Sequence, residues 1–268
     1  MLFNFQLRPV TAIAPFGSGR PTLHWFGLSD GWYWLDVAGA ELFRYRQAVV
    51  KQEEERPPVE PNLPYADYYV ARLWEDVLDI LPAVLDPVPE ALALRLDPIE
   101  RWRDWQERAE CWLESHEDDA SWDVYLQACG WWAARRVNVG YLQYAPRTWF
   151  WRVGETLHIC WDNRNRVRDG QPVWTALLGE ETMPIDTFPE EIHDFDTRFI
   201  SAMAERITVA REHWPRPDIL LDVDQLEREQ RDRAGWLSRS LGRSAPPPQA
   251  GWNRVLEAIT HIESDTPR

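Results

Sequence analysis

Lysine is nearly absent. Lys51 stands alone against 28 arginines in 268 residues, which reads as the codon usage of a GC-rich genome and carries no functional signal. Cysteine is scarce too. Cys111, Cys129 and Cys160 are odd in number and none are spaced CxxC, which argues against a disulfide framework and predicts free thiols in a reducing, cytoplasmic compartment. No apolar run approaches about 18 residues, so no transmembrane helix is expected. The opening MLFNFQLRPV lacks a basic segment running into an apolar one, so no signal peptide is expected. There is no GxGxxG, no Walker loop, no GxSxG, no HExxH and no zinc-ligand quartet. No catalytic residue, metal or cofactor is therefore predicted, and the chain leans away from an enzyme. Positive charge is also short. With a net charge of −15 there is no basic field for nucleic acid or for an anionic membrane.

Acid and tryptophan are what the chain has in surplus. From Glu53 to Asp123, twenty acids stand against six arginines, so nearly all the net charge lies in one quarter of the sequence. Seventeen tryptophans are more than a core of this size calls for, and tryptophan is the residue most often found at interface hot spots.

The stretch from Arg147 to Phe188 organises the rest. Thr148–Val153 is aromatic and β-branched, Gly154-Glu155 is turn chemistry, and Thr156–Asp162 alternates. Leu157, Ile159 and Trp161 share one strand face; His158, Cys160 and Asp162 share the other. A polar loop at 163–170 precedes a third strand predicted at Val173–Leu178 and a short fourth at Met183–Ile185. Thr187 and Glu190 form a capping box around Pro189. The stripe Ile192, Phe195, Phe199, Met203 and Ile207 then gives a long helix, ending near Trp214, that covers the apolar face of the sheet.

Before this stretch, Phe3–Leu7, the aromatic runs either side of Asp30-Gly31 and Leu42–Tyr45 read as an antiparallel meander with a turn at Asp30-Gly31. Tyr68–Leu81 is an amphipathic helix ended by Pro82. Its buried stripe is Val70, Leu73, Trp74, Val77 and Leu81, and Glu75, Asp76 and Asp79 point to solvent. A second helix starts at Asp97 as N-cap and buries Trp102, Trp105, Ala109 and Trp112; a third runs from Ala120 to Arg135. Beyond Trp214, a charged helix is predicted at 220–241, a Pro-rich break at 242–251 and a final helix from Trp252 to Ile262. The fold class is α+β: an antiparallel sheet, made of the N-terminal meander and central strands 148–186, covered by several amphipathic helices. The domain reading is one unit over 1–241, the break, and a C-terminal helix and tail over 252–268. Strands and helices fall in separate runs, which argues against a doubly wound parallel sheet.

Three blocks, LHWFGLSDGWYWLD at 23–36, ARLWEDVLDILP at 71–82, and Trp161-Asp162-Asn163 with VWTALLG at 173–179, together resemble an uncharacterised bacterial domain-of-unknown-function family, the one numbered 5984. The resemblance covers Phe3 to about Trp214 and supplies no activity. The tryptophan-rich sheet followed by FPEEIHDF also resembles, in style, immunity proteins of toxin systems.

Candidate sites follow from the charge. Glu75, Asp76, Asp79, Glu117, Asp118 and Asp119 are the expected contacts for a basic protein partner, with an exposed tryptophan as anchor. On that expectation the chain is a cytosolic protein-binding module, such as an immunity-type inhibitor of a basic toxin or effector. The alternatives are an enzyme or small-molecule binder with an aromatic pocket, and a regulatory or structural protein. His158, Asp162, Arg164 and Arg166, with Arg168 in the same loop, are the candidates for a pocket or anion site. The spacing HxCxD from His158 and the run His116-Glu117-Asp118-Asp119 hold ligand-type atoms, but neither has the spacing of a metal loop. His193, Asp194 and Asp196 sit in the first turns of a helix, where acids favour the dipole.

Overall fold

A computed structural model of the protein describes residues 1–17, 21–53, 63–96, 98–116, 118–243 and 248–265. Two larger antiparallel sheets, a two-stranded one and nine α-helices are formed by these residues. In chain order they are β1 (Phe3–Leu7), β2 (Asp30–Val37), β3 (Ala40–Leu42), α1 (Gln47–Glu53), β4 (Ala66–Tyr69), α2 (Val70–Leu85), α3 (Glu90–Leu96), α4 (Ile99–Glu114) and α5 (Asp119–Ala133). There follow β5 (Thr148–Val153), β6 (Thr156–Asp162), the two-residue strands β7 (Val167–Arg168) and β8 (Gln171–Pro172), β9 (Leu178–Pro184), α6 (Thr187–His213), α7 (Val223–Arg233), α8 (Trp236–Leu241) and α9 (Pro248–Asp265). The class is α+β with antiparallel pairing throughout the named sheets.

The N-terminal strands form their own sheet. β2 lies at its centre, against β1 along one edge and against β3 and β4 along the other. Asp30-Gly31 is not the turn that the dipeptide predicts; it begins β2, with Gly31 opposite Leu7. Glycine is needed there for space, since a Cβ would lie 2.4 Å from the Gln6 carbonyl oxygen. The tight turn falls instead at Ala38 and Gly39, both at positive φ, and the Asp36 carboxylate accepts the Gly39 N–H at 2.9 Å.

The second sheet has the order β5-β6-β9. Its third strand is Leu178–Pro184, not Val173–Leu178, because residues 173–177 turn away to meet the N-terminal sheet. Tyr45 and Trp174 form an isolated bridge there, and Trp174 is fully buried with its indole N–H on the Tyr144 carbonyl at 2.7 Å. The two sheets are therefore separate, linked by this bridge, with the Arg46 N–H on the Val173 carbonyl and the Thr175 N–H on that of Arg44, both at 2.9 Å, and by side-chain packing.

The central sheet is apolar on both faces, not one. Phe150, Leu157, Ile159 and Trp161 belong to a core shared with the N-terminal sheet, α2 and α6. Phe188 of α6 stacks on Phe150 at 5.4 Å, and Phe195 stacks on Phe3 of β1 at 5.4 Å, so one helix covers parts of both sheets. Trp149, Trp151 and Cys160, on the opposite face, belong to a second core closed by α3, α4, α5 and α9. The α6 start carries no capping box: Asp186 precedes the helix and makes no side-chain cap bond. The predicted helix at 220–241 is broken at Gly235 into α7 and α8, and α9 begins inside the predicted break. The predicted cap at Asp97 lies outside the described residues.

Pro82 does not end α2, which runs on to Leu85. A proline in a helix leaves the carbonyl four residues earlier without its N–H donor. Here that carbonyl, on Leu78, accepts the hydroxyl of Ser240 from α8, and Ser240 is buried. Ser240→Ala should orphan a buried acceptor and cost about 1–3 kcal/mol. Ser240→Thr, which keeps the hydroxyl, should recover part of it. Urea titrations of the two variants are the check; equal midpoints for the alanine variant and wild type would remove Ser240 from the account.

Candidate functional site

The acids of α2 are mostly engaged inside the molecule. The Glu75 carboxylate lies 2.6 Å from Arg233 of α7 and 3.3 Å from Arg72. The Arg233 guanidinium is sandwiched between Trp25 at 4.3 Å and Trp236 at 4.6 Å, so Glu75 completes a packed ion pair. Asp76, predicted to reach solvent, is buried. It accepts the Tyr141 hydroxyl at 3.1 Å, and Tyr141 accepts that of Tyr33 at 3.2 Å. Burial pushes the Asp76 carboxyl up to about 7, with Asp79 and Glu75 adding to the rise; the Tyr141 bond and Arg72 oppose it. Asp79 alone of the three is exposed, 3.7 Å from Arg243. Glu75, Asp79 and Arg243 help line a groove of about 290 Å³ between α2 and α8.

The acids around α5 are different. Asp118 caps the helix, accepting the Ser121 N–H at 2.8 Å and its hydroxyl at 3.0 Å; these bonds hold its carboxyl below the usual range. Asp118 and Asp119 are both exposed, and Glu117 lies outside the described residues. Next to them, on the face of α5 that points away from the second core, stand Trp122 and Leu126, 49% and 45% exposed. Trp122 is the one tryptophan among the large exposed hydrophobics of the described residues. Its ring stacks on Tyr125 at 6.0 Å, so it is held at the surface. Asp119 and Asp123 lie one turn and one residue away. On the exposed faces of α4 and the start of α5 stand Asp104, Glu107, Glu110, Glu114, Asp118, Asp119 and Asp123, with Arg101 and Arg108 exposed among them; Arg103 lies 3.4 Å from Asp104 and 3.5 Å from Glu107. Sequence reading missed Trp122. Its signal was there, in a second apolar pair at i and i+4 on a helix whose other face is already apolar.

The residues predicted for a pocket lie at the β5–β6 end of the central sheet, but they are not brought together as one site. His158 stacks on Trp151 at 4.0 Å and places Nδ1 2.7 Å from Glu180. Cys160, beside it in sequence, is fully buried, and burial pushes its thiol far up, so it is no nucleophile. Asp162 is filled by arginine: Arg164 donates through Nε at 3.0 Å and a terminal nitrogen at 2.8 Å, and Arg103 of α4 donates at 3.2 Å. Burial alone would raise the Asp162 carboxyl, but the Arg164 and Arg103 bonds outweigh it and hold it low. Asp196 is spent on Trp74, whose indole N–H it accepts at 2.9 Å, and Asp194 on Arg198 at 2.8 Å. His116 reaches Asp265 of α9 at 3.1 Å. Among the described residues, no three His, Cys, Asp or Glu side chains are grouped to hold a metal ion. Nor, among them, is any helix long and apolar enough to cross a membrane. Cys111, Cys129 and Cys160 are free, with Cys111 exposed.

No curated protein sequence and no solved structure matches the chain. A family match does exist, and it runs past Trp214 through α7 and α8 into α9, so the helices that close both cores belong to the shared architecture. Residues 2–258 match the family of unknown function DUF5984, and the chain belongs to that family.

Proposed function

We propose that the protein is a binding module that docks a basic protein partner on the acidic surface of α4 and α5, with Trp122 as its anchor. The observation that carries this reading is the exposure of Trp122 and Leu126 on the same helix end as the exposed acids Asp118, Asp119 and Asp123. An exposed aromatic beside acids fits an interface in which an apolar anchor provides affinity and nearby charge selects the partner. A cationic toxin or effector in the cytoplasm, which this protein would inhibit, is the form of partner that this chemistry fits, since opposite charge speeds the encounter.

The test uses a partner recovered from the native host and measures its binding by surface plasmon resonance. Trp122→Ala should weaken affinity by about 30-fold, the worth of a hot-spot aromatic, without moving the melting temperature. The pair Asp119→Lys and Asp123→Lys should slow association and flatten its dependence on salt, leaving dissociation nearly unchanged. A partner with no excess of basic residues, or affinity untouched by Trp122→Ala, would end this reading.

A further inference from the structure

Three arginines near the open end of the β5–β6 hairpin have a carboxylate. Arg103 and Arg164 share Asp162, and the buried Arg135 lies 3.5 Å from Asp86 and donates to the carbonyls of Trp131 and Asp86. Arg136, Arg147 and Arg166 do not. Among the described residues their side chains make no hydrogen bond or ion pair, and the Nε groups of Arg147 and Arg166 are buried without an acceptor. The Nε groups of Arg103 and Arg135 also lack a hydrogen bond, but those two guanidinium groups reach a carboxylate through another nitrogen, which Arg147 and Arg166 do not. The chain has 44 acids against 29 basic residues, so a shortage of carboxylates does not explain three unpaired guanidinium groups.

The backbone holds the three in place. Asn163 is 1% exposed; its Oδ1 accepts the Arg147 N–H at 2.8 Å and its backbone carbonyl accepts the Arg166 N–H at 2.9 Å. The Asn163 amide in turn donates to the Ala176 carbonyl at 3.0 Å. Arg136 is brought to the same end by its bridge to Trp149, two residues along from Arg147. Burial first, then Arg147 and Arg136, pull the Arg166 guanidinium down, with Asp162 opposing; burial and then Arg147 do the same to Arg136. Beside them, Arg147, Trp102, Trp132 and Trp149 line a cavity of about 30 Å³, and these three indole N–H groups also lack acceptors. The Asp162 carboxylate also lines this cavity but is taken by Arg103 and Arg164, so the donors left over at this end suit a group that has only acceptors.

We propose that Arg136, Arg147 and Arg166 bind a multiply charged oxyanion, the phosphate or sulfate group of a small molecule. Guanidinium forks match the oxygens of such a group. The ligand is small because the acidic surfaces of α4 and α5 would repel a polyanion. The cavity beside Arg147 admits little more than one or two water-sized groups, so the anion sits across the three arginines and not inside it.

Thermal melts at fixed ionic strength test this, with inorganic phosphate or sulfate replacing chloride. In the wild type either anion should raise the melting temperature, by about 3 °C once its concentration is roughly tenfold above its dissociation constant. Arg147→Gln and Arg166→Gln should abolish the rise. In chloride alone Arg166→Gln should melt at or above wild type, because a crowded like charge is gone; a purely structural arginine would give a lower value. Should either variant fail to fold, Arg136→Gln, at an exposed position, decides: a diminished rise supports the site and an undiminished one overturns it. Chloride acting as well as phosphate and sulfate overturns it too.

Discussion

Trp74→Ala should remove most of the protein's stability, at least about 3–5 kcal/mol from the lost packing of a fully buried indole. Trp74 is 0% exposed. It stacks on Trp236 at 5.5 Å and meets Phe199 at 5.6 Å, so it joins α2, α6 and α8. The substitution does a second kind of harm. Asp196 is buried, burial already raises its carboxyl, and the Trp74 indole N–H is the donor that offsets this. Without it a buried carboxylate is left unsatisfied, which costs more than the cavity alone. Domains hold only about 5–15 kcal/mol in all, so the variant is expected to be partly unfolded at 37 °C. Asp79→Ala on the same helix is exposed and should shift stability by less than about 0.5 kcal/mol. Denaturant titrations of the pair check the contrast, and similar midpoints would refute the assignment of faces on α2.

Asp76→Asn should make the protein more stable at pH 8 and leave it little changed at pH 4. The sign follows from the carboxyl being raised to about 7 from an ordinary value near 4. Between those values the folded state holds a proton that the unfolded state has released. Stability therefore falls as pH rises from about 4 to 7, and above 7 the full cost of a buried charge is present. The shift corresponds to about 4 kcal/mol at most. Asparagine keeps an oxygen to accept the Tyr141 hydroxyl and carries no charge. The difference in unfolding free energy between variant and wild type should grow across pH 4–7 and then level off. A constant difference would mean that Asp76 is ionised throughout.

The periodicities that were legible are those set by one neighbour. The stripe of α6 from Ile192 to Ile207 faces the sheets as its spacing demands, and the alternation in β6 sends Leu157, Ile159 and Trp161 to one side. What escaped the sequence depends on a second neighbour far along the chain. Asp76 reads as solvent-facing until Tyr141 is placed over it. Pro82 reads as a stop until Ser240, about 160 residues on, supplies the missing donor. Cys160 reads as a free polar face until α4, α5 and α9 cover that side of the sheet. Gly31 reads as a turn because the close approach of β1 cannot be seen from local composition. The candidate sites follow the same rule. The acids of α5 were marked by charge alone, whereas the gathering of Arg136, Arg147 and Arg166 depends on Asn163 and a bridge to Trp149.

The central sheet, with Phe150 on one side and Trp149 and Trp151 on the other, is a wall common to both cores. Neither core can open without exposing the back of the other, so partial unfolding gains little entropy for the apolar surface that it wets. Amide protons of β5 and β6 should thus exchange with solvent only when the whole chain opens, and their protection should report the stability of both cores at once.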